Sequence, residues 1–282
     1  MIKAFVVGHP IKHSRSPLIH GYWLRQHGIA GSYERLDVAP VDFPEFLRTF
    51  GERGFAGGNV TIPHKEAAFV GVDRRTGRAE RAQAVNTIWI ENGILWGDNT
   101  DVVGFVDNLD ASLGTTWGQH GETALVIGAG GAARAVVAGL QDRAFGRIVV
   151  ANRTLAKADE LVRNLALPVG PSLEAVTFGE IGHLVSTAGL IVNTTSLGMA
   201  GQPPLDLDLA NAPPDAIVTD IVYVPLKTPL LREAEARGLR IVTGLGMLLH
   251  QAVPGFERWF GVTPKVTGEL EALILDDIGT PA

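Results

Sequence analysis

Residues 123–140 read Thr-Ala-Leu-Val-Ile-Gly-Ala-Gly-Gly-Ala-Ala-Arg-Ala-Val-Val-Ala-Gly-Leu: an apolar run, a glycine-rich turn, then a second apolar run. Few folds accommodate that order. The first run suits a buried strand and the second a helix, and the turn has the form G-x-G-x-x-A that closes a dinucleotide-binding unit. In that reading Gly128 permits the tight turn, Gly130 lets the backbone approach a pyrophosphate, and Ala133 lets helix and strand pack closely. The helix N-terminus adds free N–H groups and a partial positive charge, so Gly128, Ala129, Gly130, Gly131 and Ala132 form a candidate phosphate cradle.

The rest of the chain repeats the alternation. Candidate strands in the first third are Ile2 to Val7, Tyr33 to Asp37, Gly57 to Thr61 and Thr87 to Glu91. Asn92-Gly93 tolerates the positive φ angles of a tight hairpin. Helices are expected to start at Ser16-Pro17, at Val41-Asp42 and at Pro63; serine as cap and proline in the first turn make Ser16-Pro17 the clearest start. A break is expected at residues 114–122. Beyond it, strands are expected at Thr123 to Ile127, Arg147 to Ala151, Leu190 to Asn193, Ala216 to Asp220 and Arg240 to Val242, with helices between them. Such alternation predicts an α/β fold with mostly parallel sheets. After Gly244, the spacing of Leu245, Leu248, Leu249, Ala252, Phe256, Trp259 and Phe260 is helical, and Pro254 is expected to kink or divide that helix.

The strand after the glycine turn bears on the choice of nucleotide. A carboxylate at its end holds the ribose hydroxyl of NAD, whereas a basic group accommodates the 2′-phosphate of NADP. Here the strand ends in Asn152-Arg153-Thr154 with Lys157 one turn on, and no carboxylate. Arg153 can stack on adenine and pair with phosphate, so NADP is expected. The segments Asn193 to Met199, with Thr194 and Ser196, and Asp220 to Tyr223, with Ile221, follow later strands, where open α/β sheets bind ligands. Turn residues satisfying loop backbone would look the same.

Three polar clusters mark the first hundred residues. In Gly8 to Pro17, Ser14 and Ser16 precede a helix and either cap it or hold a carboxylate. In Asn59-Val60-Thr61-Ile62-Pro63-His64-Lys65, strand alternation puts Asn59 and Thr61 on one side. Lys65 falls in a first helical turn, where the dipole disfavours a cation. It is either a solvated lysine or a proton-handling one. In Gly97-Asp98-Asn99-Thr100-Asp101, Asp101 either caps a helix or pairs with the lysine. Asn86 is a further polar candidate.

Composition removes other classes. The chain has 282 residues, 46% of them hydrophobic and 19% charged, as globular domains do. Its net charge of −6 lacks the basic surplus of a nucleic-acid binder. With no cysteine there is neither a disulfide nor a thiolate nucleophile. The eight histidines show no metal-ligand spacing, so no metal is expected; His64 and His250 read as packing or solvated residues. Neither a signal peptide nor a bilayer-spanning run is visible, and the expected location is the cytoplasm.

Taken in order, the segments resemble the shikimate dehydrogenase family nearly end to end. They are Gly8-x-Pro10-Ile11-x-His13-Ser14-x-Ser16-Pro17, Asn59-Val60-Thr61-x-Pro63-x-Lys65, Gly97-Asp98-Asn99-Thr100-Asp101-x-x-Gly104, the turn from Gly128, Asn152-Arg153-Thr154, Asn193 to Met199, Gly244 to Leu248 and Gln251-Ala252. The resemblance implies an N-terminal α/β substrate domain, residues 1–102 plus 243–282, and a Rossmann-like NADP domain, residues 103–242, with a cleft between them. The implied activity is the reversible NADPH-dependent reduction of 3-dehydroshikimate to shikimate, in the shikimate pathway of aromatic amino acid biosynthesis. Lys65 and Asp101 are then the catalytic pair. Ser14 and Ser16, helped by Tyr223, bind the substrate carboxylate, and Asn59, Thr61, Asn86 and Gln251 contact its ring or hydroxyls. Gly244 and Met247 lie near the nicotinamide. The implied partners are the small-molecule substrate and no nucleic acid or membrane, in a monomer or homodimer. Two departures stand out: His64 replaces the usual aromatic residue, and Pro254 sits in the stretch that carries Gln251. A quinate/shikimate dehydrogenase using NAD, a methylenetetrahydrofolate dehydrogenase and a redox-sensing NADP-binding protein are the alternatives; the first conflicts with Arg153 and Thr154, the second with the serine cluster near Ser14, and the third with Lys65, Asp101 and both serines.

Overall fold

The computed structural model describes residues 1–118, 123–143 and 145–279. The chain divides into two compact units, Met1–Gly104 with Leu249–Ala282, and Phe105–Leu248. The first runs β1 (Ile2–Gly8), α1 (Ser16–Gln26), β2 (Gly31–Asp37), α2 (Phe43–Thr49), β3 (Phe55–Val60), α3 (Lys65–Gly71), β4 (Arg74–Arg75), α4 (Gly77–Ala82), β5 (Thr87–Glu91), β6 (Ile94–Asp98) and the start of α5 (Thr100–Leu113). The second continues through β7 (Thr123–Ile127), α6 (Gly131–Leu140), β8 (Arg147–Asn152), α7 (Leu155–Leu165), β9 (Ser172–Thr177), α8 (Ile181–Leu184), β10 (Ala188–Asn193), β11 (Ile217–Asp220), α9 (Pro229–Ala236), β12 (Arg240–Val242) and most of α10 (Leu245–His250). Helices α11 (Ala252–Phe260) and α12 (Gly268–Gly279) return to the first unit.

The first sheet has the order β2-β1-β3-β5-β6-β4. Strands β2, β1 and β3 are parallel, while β5 runs antiparallel to β3 and β6. The β5–β6 hairpin turns at Asn92 (φ 53°) and Gly93 (φ 77°), the two positive angles that Asn-Gly supplies. Alternation sorts the faces. Phe5, Val7, Val60 and Ile88 pack with Phe43, Phe46 and Phe50 on one side. Phe5 makes edge contacts with Phe46, Phe50 and Phe55 at 5.1, 5.3 and 5.2 Å between ring centroids. Helices α1 and α11 lie with the aromatic group of Trp23, Tyr33, Phe256 and Trp259. Trp259 Nε1 reaches across to donate to the Ile88 carbonyl at 3.0 Å.

The second sheet is six-stranded and parallel, in the order β12-β11-β10-β7-β8-β9. Its inner strands are buried apolar runs, as a sheet covered on both faces requires. Ala124, Val126, Ile148, Val150, Leu190 and Val192 belong to one core, and Leu125, Ile127, Val149, Ala151 and Ile191 to the other. Strand order reverses between β7 and β10, the switch point at which doubly wound sheets bind ligands, and the architecture is Rossmann-like.

Several local expectations change. Ser16 is not a cap: Arg15 occupies that position, Ser16 is the first helical residue, and Pro17 follows in the first turn. Helix α2 starts at Phe43 and α3 at Lys65, two residues beyond Pro63. The short β4 and the edge strand β9 escape a reading based on apolar runs, because β9 is a half-exposed segment with a glutamate in its middle. The C-terminal helix is divided at Gln251, three residues before Pro254. A proline ring clashes with the carbonyl four residues back, which here is His250, so Pro254 is tolerated only in the first turn of a new helix. Of the expected break, residues 114–118 form a turn with Gly114 at φ 76°, and 119–122 lie outside the described residues.

Candidate functional site

The loop from β1 to α1 carries Ser14 and Ser16 and is pinned from several sides. Arg35 Nε on β2 donates to the Ser14 carbonyl at 2.9 Å. At the end of the same strand Asp37 pairs with His9 Nδ1 at 2.6 Å, and this bond holds the Asp37 carboxyl below its ordinary pKa. Arg15 pairs with Asp277 of α12 at 2.8 Å. Within the loop, Ser16 N–H lies 3.4 Å from Ser14 Oγ. Two hydroxyls thus stand at the start of an eleven-residue helix, on a loop braced through its backbone.

Lys65 opens α3 and Asp101 lies in the first turn of α5. The two side chains meet: Lys65 Nζ donates to Asp101 Oδ2 at 2.5 Å, with 17% and 11% of the side chains exposed. Asp101 Oδ1 accepts Asn86 Nδ2 at 2.9 Å. Asp101 therefore serves the lysine and Asn86, and the expected alternative of a capping role is not what its bonds show. Asn86 Oδ1 accepts Thr100 N–H at 2.7 Å, while one Nδ2 proton of Asn86 remains uncommitted. Asn59 is saturated. Its Oδ1 accepts Tyr33 OH at 2.6 Å, and its Nδ2 donates to the Asn86 carbonyl at 3.1 Å and Thr87 Oγ1 at 3.0 Å. Thr61 makes no side-chain hydrogen bond among the described residues and is partly exposed. Gln251, 8% exposed, occupies the junction of α10 and α11.

Beneath this layer lies His20, fully buried and stacked on Tyr33 at 4.0 Å between centroids. Burial pushes its pKa from 6.5 down to about 3, against the opposing effect of the neighbouring Asn59, and neither ring nitrogen has a hydrogen-bond partner among the described residues. Burial also drives the Tyr33 phenol well above its usual range, so it is a firm donor to Asn59. His64 is buried too, stacked on Phe43 at 4.3 Å with Nε2 2.8 Å from the Val38 carbonyl; desolvation lowers its pKa. It fills an aromatic slot as a packing residue.

In the second unit, Gly128 has φ 115°, and a Cβ there would lie 2.5 Å from Thr194 Oγ1. Only glycine fits that turn. Gly130 precedes the ten-residue α6, and a Cβ on it would meet nothing within 4 Å, so the space beside the backbone is open. Asn152 Nδ2 fixes the turn after β8 by donating to the Thr154 carbonyl at 2.9 Å. Arg153, Thr154 and Lys157 are exposed, and Arg153 forms no ion pair among the described residues. The Gly128 N–H is spent on the Ala151 carbonyl at 2.8 Å, and the N-terminal N–H groups of α6, with cations and no carboxylate at the adjacent strand end, fit NADP.

The other predicted cofactor-side residues cluster at the ends of β10, β11 and β12. Thr194 is tied through its own N–H and Oγ1 to the Ile127 carbonyl, both at 2.8 Å. Ser196 is exposed, and Ile221 N–H donates to the Asn193 carbonyl at 3.1 Å. Gly244 packs so closely on Ile221 that a Cβ would lie 2.4 Å from its carbonyl oxygen. Met247 is buried in the core. Tyr223 follows β11 in the second unit, whereas Ser14 and Ser16 belong to the first. Asp220 anchors this region, accepting from Asn193 Nδ2, Val222 N–H and Thr228 Oγ1 at 3.0, 3.0 and 2.7 Å, while burial pushes its carboxyl pKa up. Asp220 and Thr100 fall within segments that the sequence marks as polar, whereas Tyr33, Thr87 and Arg35 carry no such mark beyond the adjacency of Thr87 to Asn86. Among the described residues no group of three His, Asp or Glu is placed to hold a metal ion, and no helix is long and apolar enough to cross a membrane.

Comparison with known proteins adds an independent line. Residues 6–88 match the shikimate dehydrogenase substrate binding domain, 114–199 the shikimate / quinate 5-dehydrogenase family, and 244–273 the shikimate 5′-dehydrogenase C-terminal domain. The chain is 59% identical over 278 residues to the shikimate dehydrogenase (NADP(+)) of Methylobacterium radiotolerans, covering 98% of this chain and 97% of that one. The structure of shikimate 5-dehydrogenase from Thermus thermophilus in complex with NADP(H) and shikimate superposes with a TM-score of 0.84 at 36% identity, covering 97% of this chain and 99% of that one. Quinate dehydrogenase from Corynebacterium glutamicum, solved with NAD, gives 0.89 at 29% identity over 98% and 99%.

Proposed function

The chain belongs to the shikimate dehydrogenase family, and on that footing we propose that it catalyses the reversible NADPH-dependent reduction of 3-dehydroshikimate to shikimate. The observation that carries the reading is the half-buried contact of Lys65 with Asp101 at 2.5 Å, backed by Asn86. When bound, the nicotinamide supplies the hydride. The protein has three further tasks: to hold the substrate, to steady the oxygen on which charge develops, and to deliver a proton to it. Ser14 and Ser16 hold the substrate carboxylate, with Tyr223 assisting. Lys65, oriented by Asp101, stabilises the developing alkoxide and gives it a proton. The spare Nδ2 proton of Asn86, together with Thr61, Asn59 and Gln251, addresses the ring hydroxyls; since the Asn59 amide is spent inside the protein, only a remaining lone pair on its oxygen can serve.

Gly128 to Ala132 cradle the pyrophosphate. Asn152, Arg153, Thr154 and Lys157 receive the 2′-phosphate and adenine side, and Thr194, Ser196, Ile221, Gly244 and Met247 line the nicotinamide side. On this reading residues 1–102 with 243–282 form the substrate domain and 103–242 the NADP domain. The acidic net charge supports a small-molecule rather than a nucleic-acid partner, and the lack of cysteine suits work in the cytoplasm, as a monomer or homodimer. A spectrophotometric assay of NADP+ reduction tests the assignment. Shikimate is expected to turn over with NADP+, and NAD+ to be poorer by about tenfold or more, the weight of one charge-assisted contact; paired assays on quinate and shikimate settle the substrate. Inertness towards shikimate overturns the activity, and equal efficiency with NAD+ overturns the cofactor assignment.

A further inference from the structure

One hydrogen-bonded relay links the buried aromatic layer to Lys65. Tyr33 OH donates to Asn59 Oδ1 at 2.6 Å, Asn59 Nδ2 donates to Thr87 Oγ1 at 3.0 Å, and Thr87 Oγ1 donates to Asn86 Oδ1 at 3.0 Å. Asn86 Nδ2 then donates to Asp101 Oδ1 at 2.9 Å, and Asp101 Oδ2 accepts Lys65 at 2.5 Å. The orientation of both amides is fixed, and Asn86 Oδ1 has two hydroxyls in reach, Thr87 Oγ1 at 3.0 Å and Thr100 Oγ1 at 3.1 Å. The Asn86 carbonyl and the Thr100 N–H fix which end of the Asn59 and Asn86 amides faces which way, because a carbonyl only accepts and an N–H only donates. Among the described residues, Thr87 supplies the side-chain hydroxyl that touches both amides, and it also pairs with Thr100 Oγ1 at 3.0 Å. Residues 86, 87 and 100 are all buried, so a lost partner in this layer is not replaced freely by bulk water.

We propose that Thr87 is a positioning residue for the Lys65–Asp101 pair. Thr100 N–H sets which way the Asn86 carboxamide faces, and the Thr87 hydroxyl, bridging it to Asn59, restrains its tilt and so the angle from which Asp101 holds the ammonium. The inference rests on the reading of Lys65 and Asp101 as the reacting pair. Without the hydroxyl, one Asn59 N–H is left buried and unpaired, Asn86 loses a restraint, and the ammonium is held less well. A displacement of this kind slows the chemical step more than it weakens binding, because the carboxylate grip of Ser14 and Ser16 is untouched.

The test compares Thr87→Val with Thr87→Ser in the full chain. Valine keeps the shape and removes the hydroxyl; serine keeps the hydroxyl. With shikimate and NADP+, Thr87→Val is expected to lose roughly ten- to a hundredfold in kcat, with the shikimate KM changed by less than about threefold. The isotope effect on kcat with C3-deuterated shikimate is expected to rise. Thr87→Ser is expected to lie within about threefold of the parent, its hydroxyl replacing the one lost. A merely structural role lowers the melting temperature and leaves kcat per folded molecule and the isotope effect unchanged. Should Thr87→Val not fold, Thr87→Ala removes the same hydroxyl in a smaller side chain and gives the same reading. A folded hydroxyl-free variant with parental kcat and isotope effect, or a serine variant as slow as the valine one, overturns the proposal. Failure of the functional reading is distinct: the parent enzyme itself is then inert with shikimate.

Discussion

Lys65 occupies the first turn of a helix, where backbone N–H groups already concentrate positive charge, and the carboxylate of Asp101 offsets that placement at 2.5 Å. A cation held against the local field and beside one acid is poised to follow charge on a third group. Lys65→Ala is therefore expected to lower kcat by roughly a hundred- to ten-thousandfold, with a much smaller change in shikimate KM. Steady-state kinetics decide; a large KM effect with kcat preserved assigns Lys65 to binding. His20 makes its prediction through stability. The unfolded imidazole titrates near 6.5 and the native one near 3. Between those values the unfolded chain binds a proton that the native one refuses, so stability is complete above pH 6.5 and drains as the pH falls towards 3. By pH 4 the loss amounts to roughly 3 kcal/mol, reckoned from the shift. Urea midpoints across this range are expected to slope less for His20→Phe than for the parent, and identical slopes refute the assignment.

Elements differ in how far the sequence foretold them. Strands β5, β7 and β12 have the expected bounds; for β7 the reason is a buried apolar run and for β5 the Asn-Gly turn that ends it. Strand β9 does not, since an edge needs no continuous apolar run. The glycine turn was legible because Gly128 has one conformational reason to exist, and the polar motifs were legible singly. Their joining was not: that Asn59 spends its amide on Tyr33 and Thr87, or that Asp101 turns to Asn86, depends on register between β3 and β5 and on the position of α5, which no local pattern encodes. Two predictions belong to the turns that end strands. Gly128→Ala, with φ 115° and a Cβ forced against Thr194, is expected to cost roughly 1–3 kcal/mol of stability by urea unfolding and to weaken NADPH binding. Arg153→Ala, after β8, is expected to raise the NADPH KM roughly ten- to a hundredfold while that for NADH stays put. A parallel rise for both cofactors contradicts a 2′-phosphate role.

At the scale of the molecule, two units with separate cores divide the labour. Hydrogen exchange reads that division directly, because a ligand slows opening of the unit that binds it. NADP+ alone is expected to protect amides at the start of α6 and after β8, and shikimate alone those around Ser14 and the first turns of α3 and α5. The reverse pattern, or one pattern for both ligands, undoes the assignment of the halves. The first unit is also discontinuous in the chain: β1 to β6 come early, while α11, which supplies Phe256 and Trp259 to its aromatic face, and α12 come later. Synthesis from the N-terminus thus produces that sheet long before its cover exists. The ribosome carries a half-finished lobe, its Trp23 and Tyr33 waiting bare while the entire nucleotide lobe is translated, and the last helices act as the latch that ends the wait.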